Sequence, residues 1–164
     1  MDLSNYTLEQ LIQTAIKSEI DSNEVYSRLS GRVKNYVLKD RLNFLADEEL
    51  KHKEFLESFH QKKFPGEELV LPDKSPVPLP QVNIENESMK ISELFFQAME
   101  AEKASHDFYL EFSNMFEEEK EMKNILTYLA SMEMNHYNIL KTERDSIDLF
   151  EEYETEWPFI HMGP

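Results

Sequence analysis

The chain has 164 residues, 40% apolar and 30% charged, enough for one hydrophobic core and too few for two ordinary domains. Seventeen basic residues against thirty-three acidic ones leave a formal charge of -16, which repels a nucleic-acid backbone or an anionic membrane surface. The absence of cysteine excludes disulfides, thiolate nucleophiles, iron–sulfur clusters and four-cysteine iron or zinc sites from this chain.

The N-terminus, Met1-Asp2-Leu3-Ser4-Asn5-Tyr6, has neither a basic n-region nor an apolar h-region. No run approaches the ~18 apolar residues of a membrane span, so a soluble cytoplasmic protein is the expectation. Only three glycines occur, and five of the seven prolines fall between Pro65 and Pro80, which leaves two long stretches without breakers. In the first, Leu8, Ile12, Ala15, Glu19, Ser22, Tyr26 and Leu29 step alternately by four and three, the spacing of one helix face. This predicts a helix over about 7–30, capped by Thr7 and ended by Gly31. Leu38, Leu42, Leu45, Glu49, His52, Leu56 and Phe59 repeat the pattern and predict a second helix over about 33–60, antiparallel to the first.

Residues 61–87 are proline-rich and lack periodicity, which suits a crossover along the length of a bundle. A third seam follows in Ile91, Phe95, Ala98, Glu102, Ser105, Tyr109 and Phe112, on a helix over about 88–115. A fourth, on a helix over about 118–145, holds Met122, Leu126, Leu129, Glu133, His136, Leu140 and Glu143. A tail over 146–164 carries a short amphipathic piece (Ile147, Leu149, Phe150, Tyr153) and the aromatic run from Trp157 to Met162. The expected fold is all-α: one domain over 1–164, an antiparallel four-helix bundle with one long crossover and a short C-terminal helix or tail. Seams one and three superimpose at an offset of 83 and seams two and four at 84, so the chain duplicates a helical hairpin.

Each seam should be apolar, yet each has a glutamate at its middle, and the second and fourth add a histidine one turn on. Buried unpaired carboxylates cost several kcal/mol each, and no lysine or arginine occupies a seam position. Two divalent cations balance Glu19, Glu49, Glu102 and Glu133 with neutral His52 and His136. A glutamate from each of two helices plus Glu-x-x-His from each of the other two is the ligand set of ferritin-like di-iron and di-manganese proteins. Symmetry makes Glu49 and Glu133 the expected bridges, with Glu19 and His52 serving one ion and Glu102 and His136 the other. The competing account is a buried, partly protonated hydrogen-bond network. Glu57-x-x-His60 has the same local spacing but misses the seam, and reads as surface.

Tyr26 and Tyr109, two turns beyond their glutamates, can hydrogen-bond a ligand carboxylate or pack as core aromatics. His106 lies one step off the seam and reads as a helix-surface histidine rather than a ligand. His161 sits in an aromatic tail expected to fold back and cover exposed core at one end of the bundle, rather than to reach metal. Glu117, Glu118, Glu119 and Glu121 favour the start of a helix through its dipole.

Glu19 with Tyr26, Glu49-x-x-His52, Glu102 with Tyr109, and Glu133-x-x-His136 resemble the rubrerythrin-like branch of the ferritin-like di-iron carboxylate proteins, over about residues 7 to 145. The resemblance implies a cytoplasmic non-haem di-iron oxidoreductase that reduces hydrogen peroxide or dioxygen, a role in oxidative stress, and a homodimer, domain-swapped or not. A rubredoxin-like domain would need cysteines, so the implied electron donor is a separate rubredoxin-like protein. Where the family carries a further glutamate, three residues beyond the helix-three ligand, this sequence has Ser105, and the six-ligand set is similar to the ferroxidase site of bacterioferritin. Ferroxidase activity in iron handling and a non-catalytic metal-binding bundle remain alternatives. Carboxylate-rich ligation also admits manganese or another divalent metal in place of two iron ions.

Overall fold

The computed structural model describes the backbone of residues 1–156 and the side chains of residues 1–147. The run from Trp157 to Met162, with His161, and the side chains of Leu149, Phe150 and Tyr153 lie outside the described residues. Among the described residues four helices, α1 (Leu8–Arg32), α2 (Tyr36–Lys63), α3 (Ile91–Ser113) and α4 (Lys120–Glu156), form an all-helical bundle, with a 3-10 turn over Asn114–Phe116. Among the described residues no helix is long and apolar enough to cross a membrane.

Local chemistry sets the helix ends. Thr7 accepts from the Gln10 backbone while the Gln10 side chain accepts from the Thr7 backbone, a reciprocal cap that satisfies two otherwise orphaned donors. Gly31 does not end α1 but lies in its last turn; the helix stops at Arg32 because Val33 turns extended, and Arg32 donates to the carbonyls of Glu87 and Met89. Asn35 caps α2 through Leu38. After α2, Gly66 takes the left-handed conformation (φ 87°), the one positive φ among the described residues, and turns the chain back. α4 runs on past residue 145, where the sequence suggests a separate piece, because neither glycine nor proline interrupts it before Pro158.

α1 packs on α2 and α3 on α4 as two antiparallel hairpins. They face each other with α1 antiparallel to α3, Tyr26 meeting Glu102 and Glu19 meeting Tyr109. This gives the duplicated hairpins a pseudo-twofold relation, seen again in two backbone ties. Asn23 donates to the Ala46 carbonyl at 2.7 Å, and His106 Nδ1 donates to the Ala130 carbonyl at the same distance. The crossover follows α1 from one end to the other: Gln13 donates to the Val70 carbonyl, Thr14 Oγ1 accepts from the buried Val77 N–H, and Arg28 pairs with Glu85. This covering explains why α1 also buries Leu11, Thr14 and Ile16, off the predicted seam.

Two apolar clusters flank the middle of the bundle. One, rich in aromatics, contains Phe59, Phe108, Tyr109, Phe112 and Phe116; the other contains Tyr26, Leu29, Leu42, Phe95 and Leu140. Between them lie the six polar seam residues.

Candidate metal centre

Each of the four helices brings one glutamate to the bundle centre, and all are buried: Glu19, Glu49, Glu102 and Glu133 are at most 2% exposed. His52 and His136 are 6% and 1% exposed, with their rings stacked 5.7 Å apart. The helical spacing that puts His52 one turn after Glu49, and His136 one turn after Glu133, points both imidazoles at the same centre.

The Nδ1 atom of His52 lies 3.3 Å from Glu49 Oε2, 3.3 Å from Glu133 Oε1 and 3.4 Å from Glu19 Oε2. His136 Nδ1 lies 3.0 Å from Glu49 Oε1, 3.8 Å from Glu102 Oε2 and 3.9 Å from Glu133 Oε2. Glu49 and Glu133 therefore each turn one oxygen to each histidine, whereas Glu19 faces His52 and Glu102 faces His136. The donors form two four-residue groups, Glu19, Glu49, His52, Glu133 and Glu49, Glu102, Glu133, His136, each with its ligand atoms within 4.8 Å of one another.

These donors suit metal rather than one another. Both oxygens of Glu49, Oε2 of Glu102, Oε1 of Glu133 and Nδ1 of both histidines are buried without a hydrogen-bond partner, an arrangement that costs free energy at each atom unless a cation completes it. Oxygen and imidazole donors in this mixture suit iron, manganese or zinc.

The tyrosines cross between hairpins. Tyr26 on α1 donates to Glu102 on α3, and Tyr109 on α3 donates to Glu19 on α1. Burial first, and the adjoining carboxylates second, push both phenols well above their ordinary range, so each stays a donor. The sequence places the phenols on the right faces but does not reveal that each serves the opposite hairpin; that follows from the antiparallel pairing of α1 with α3.

Burial and repulsion between the carboxylates hold Glu49 and Glu102 well above the usual carboxylate range and raise Glu133 to about 8. Burial also opposes ionisation of Glu19, but the neighbouring His52 imidazole and the Tyr109 hydroxyl together outweigh it and lower Glu19. Burial disfavours a charged His52, yet its carboxylate neighbours raise it, while burial keeps His136 below its ordinary value.

Among the described residues, the others singled out in the sequence fall outside the centre. His106 is engaged with Ala130 as described. Ser105, at the position of the family's further glutamate, faces Ser18 with their hydroxyls 3.1 Å apart. His60, read from the sequence as surface, is instead 1% exposed. α2 extends three residues past the expected end, and Phe64 turns its ring to within 5.1 Å of the imidazole. Its spacing partner Glu57 is half-buried and pairs with Lys53 at 2.9 Å, so the two form no site.

The family model for rubrerythrin matches residues 10–144, a span that holds all six central residues. The chain belongs to the rubrerythrin family. A solved structure of a hypothetical protein from Pyrococcus furiosus is similar at 35% identity with a TM-score of 0.74, covering 88% of this chain and 92% of that one. No curated protein matches. Membership in the rubrerythrin family brings iron binding, and the buried glutamate and histidine groups of this member could hold metal.

Proposed function

We propose that this protein is a di-iron oxidoreductase that reduces hydrogen peroxide, or dioxygen, with electrons from a separate rubredoxin-like donor. The observation that carries the reading is the division of the donors: Glu49 and Glu133 offer one oxygen to each histidine side, and both oxygens of Glu49 and Oε1 of Glu133 are buried without a hydrogen-bond partner. Glu49 and Glu133 would bridge two ions, with Glu19 and His52 completing one site and Glu102 and His136 the other. When bound, two ferrous ions supply together the two electrons that cleave a peroxide bond. The protein's part is positional. Tyr26 and Tyr109 fix the outer carboxylates from across the bundle, and the apolar clusters at either end exclude bulk water.

Stopped-flow oxidation of anaerobically iron-loaded protein tests this. Two irons per chain and faster oxidation by peroxide than by dioxygen are expected; no change in the iron spectrum with either oxidant would reject the reading. Ser105, in place of a further carboxylate, favours a second reading, oxidation of iron for handling or storage. Assembly size separates the two: light scattering giving a homodimer supports the oxidoreductase, and a shell of a dozen or more chains supports storage.

A further inference from the structure

A cavity of about 250 Å³ lies between α1, α3 and the crossover. It runs from an exposed rim at Glu24, Gln81 and Glu85 to a floor made by Tyr26 and Glu102, each 1% exposed. Small side chains open it: Ser18 and Ser22 on α1 stand near Ala98 and Ala101 on α3.

The duplication supplies an internal comparison. Val25 lines the cavity beside Tyr26, and the offset of 83 puts Phe108 in the equivalent place beside Tyr109. Phe108 is fully buried, its ring 5.5 Å from that of Tyr109 and 5.7 Å from that of Phe112. An aromatic ring thus packs beside Tyr109, the donor to Glu19, where a smaller valine stands beside Tyr26, the donor to Glu102. The two halves of the centre are thus unequal, and the cavity leads to the half containing Glu102 and His136.

We propose that this cavity is a binding pocket for a small uncharged organic hydroperoxide, which presents its O–O group to the Tyr26 and Glu102 floor and its hydrocarbon part to Val25, Ala98 and the crossover. This rests on the oxidoreductase reading above and names a substrate class for it. Size is the first argument. An apolar cavity of about 150 Å³ already holds benzene, so this one exceeds the needs of hydrogen peroxide and suits a short alkyl or single aryl group. Charge is the second. The rim carries Asp21, Glu24 and Glu85 against Lys17, with Arg28 pairing with Glu24 and Glu85, and the whole chain is at -16, so an organic acid is repelled while a neutral molecule is not. The reaction balances as ROOH + 2H⁺ + 2e⁻ → ROH + H₂O: the O–O bond breaks, and two ferrous ions, each becoming ferric, supply the electrons.

The test pairs binding with selectivity. Cumyl alcohol, the product of cumene hydroperoxide, is titrated calorimetrically into zinc-loaded protein, which cannot turn over. The wild type should bind it, and Val25→Phe, which copies Phe108 into the open half, should bind it at least about tenfold more weakly. Ala101→Leu, at a half-buried position, should do the same and guards against misfolding of the first variant. In iron-loaded protein the ratio of kcat/KM for cumene hydroperoxide to that for hydrogen peroxide should fall about tenfold in both variants. Failure of the wild type to bind the alcohol, or equal binding by both variants, overturns the pocket assignment. If hydrogen peroxide or dioxygen still oxidises the iron, only the pocket is lost; if neither does, the oxidoreductase reading falls as well.

Discussion

Glu49 and Glu133 differ from the other two central glutamates in facing both histidines, and that difference has a measurable consequence. If they bridge two ions as proposed, Glu49→Ala or Glu133→Ala should remove a ligand from both at once and reduce bound metal to near zero by elemental analysis. Glu19→Ala leaves the Glu49, Glu102, Glu133 and His136 group intact and should retain about one. Full retention of metal by the Glu49 and Glu133 variants would refute the bridging assignment. Tyr26→Phe keeps the ring but leaves Glu102 without its donor. A partner lost from a ligand costs ~10–100-fold in metal affinity, so competition with a fluorescent chelator should show weaker binding with little change in circular dichroism. His60→Ala should leave metal content unchanged but lower stability by about 0.5–3 kcal/mol in urea unfolding, because a buried ring is removed from beside Phe64.

At the scale of the helices, most of the fold follows from periodicity. Every apolar member of the second seam is buried, as are Glu49 and His52 between them, because α2 faces its partners along a single stripe. The rest depends on contacts that periodicity does not encode. α1 buries a wider arc because the crossover lies over it, and no local pattern announces that cover. The crossover itself is held at pseudo-equivalent positions: Thr14 accepts from the Val77 N–H, and Gln97, at an offset of 83 from Thr14, accepts from the Asn83 N–H. The convergence of the six donors was legible because duplication repeated each at the same seam height. The cross-pairing of the tyrosines, the burial of His60 and the inequality of Val25 and Phe108 were not, since each arises where elements distant in sequence meet. If the crossover ties matter energetically, Thr14→Val should cost about 1–3 kcal/mol, the penalty for orphaning the buried Val77 N–H, in metal-free protein unfolded by urea. An unchanged midpoint would mean that water replaces the hydroxyl.

For the whole molecule, the central cluster makes stability depend on pH, and the sign can be worked out group by group. Glu49, Glu102 and Glu133 are raised above their ordinary value of 4.5, so the stability they contribute without metal is complete below about 4.5 and is lost as pH rises, through about 8 for Glu133. His52, raised from 6.5, acts in the same sense, with its contribution present below 6.5 and declining above. Glu19 and His136, both lowered, act oppositely and lose their contributions as pH falls. Four groups thus take up protons on folding against two that release them, and the metal-free protein should weaken between about pH 4.5 and 8. Metal reverses the trend, since it binds ionised carboxylates and neutral imidazole and displaces the retained protons. The separation between metal-loaded and chelator-treated melting temperatures should therefore widen steadily from pH 5.5 to pH 8. Addition of metal to the stripped protein near pH 7 should also release protons, detectable with an indicator dye in weak buffer. A separation that stays constant with pH, together with metal uptake that releases no protons, would mean that the carboxylates are already ionised before metal arrives and that something other than protonation holds them in the core.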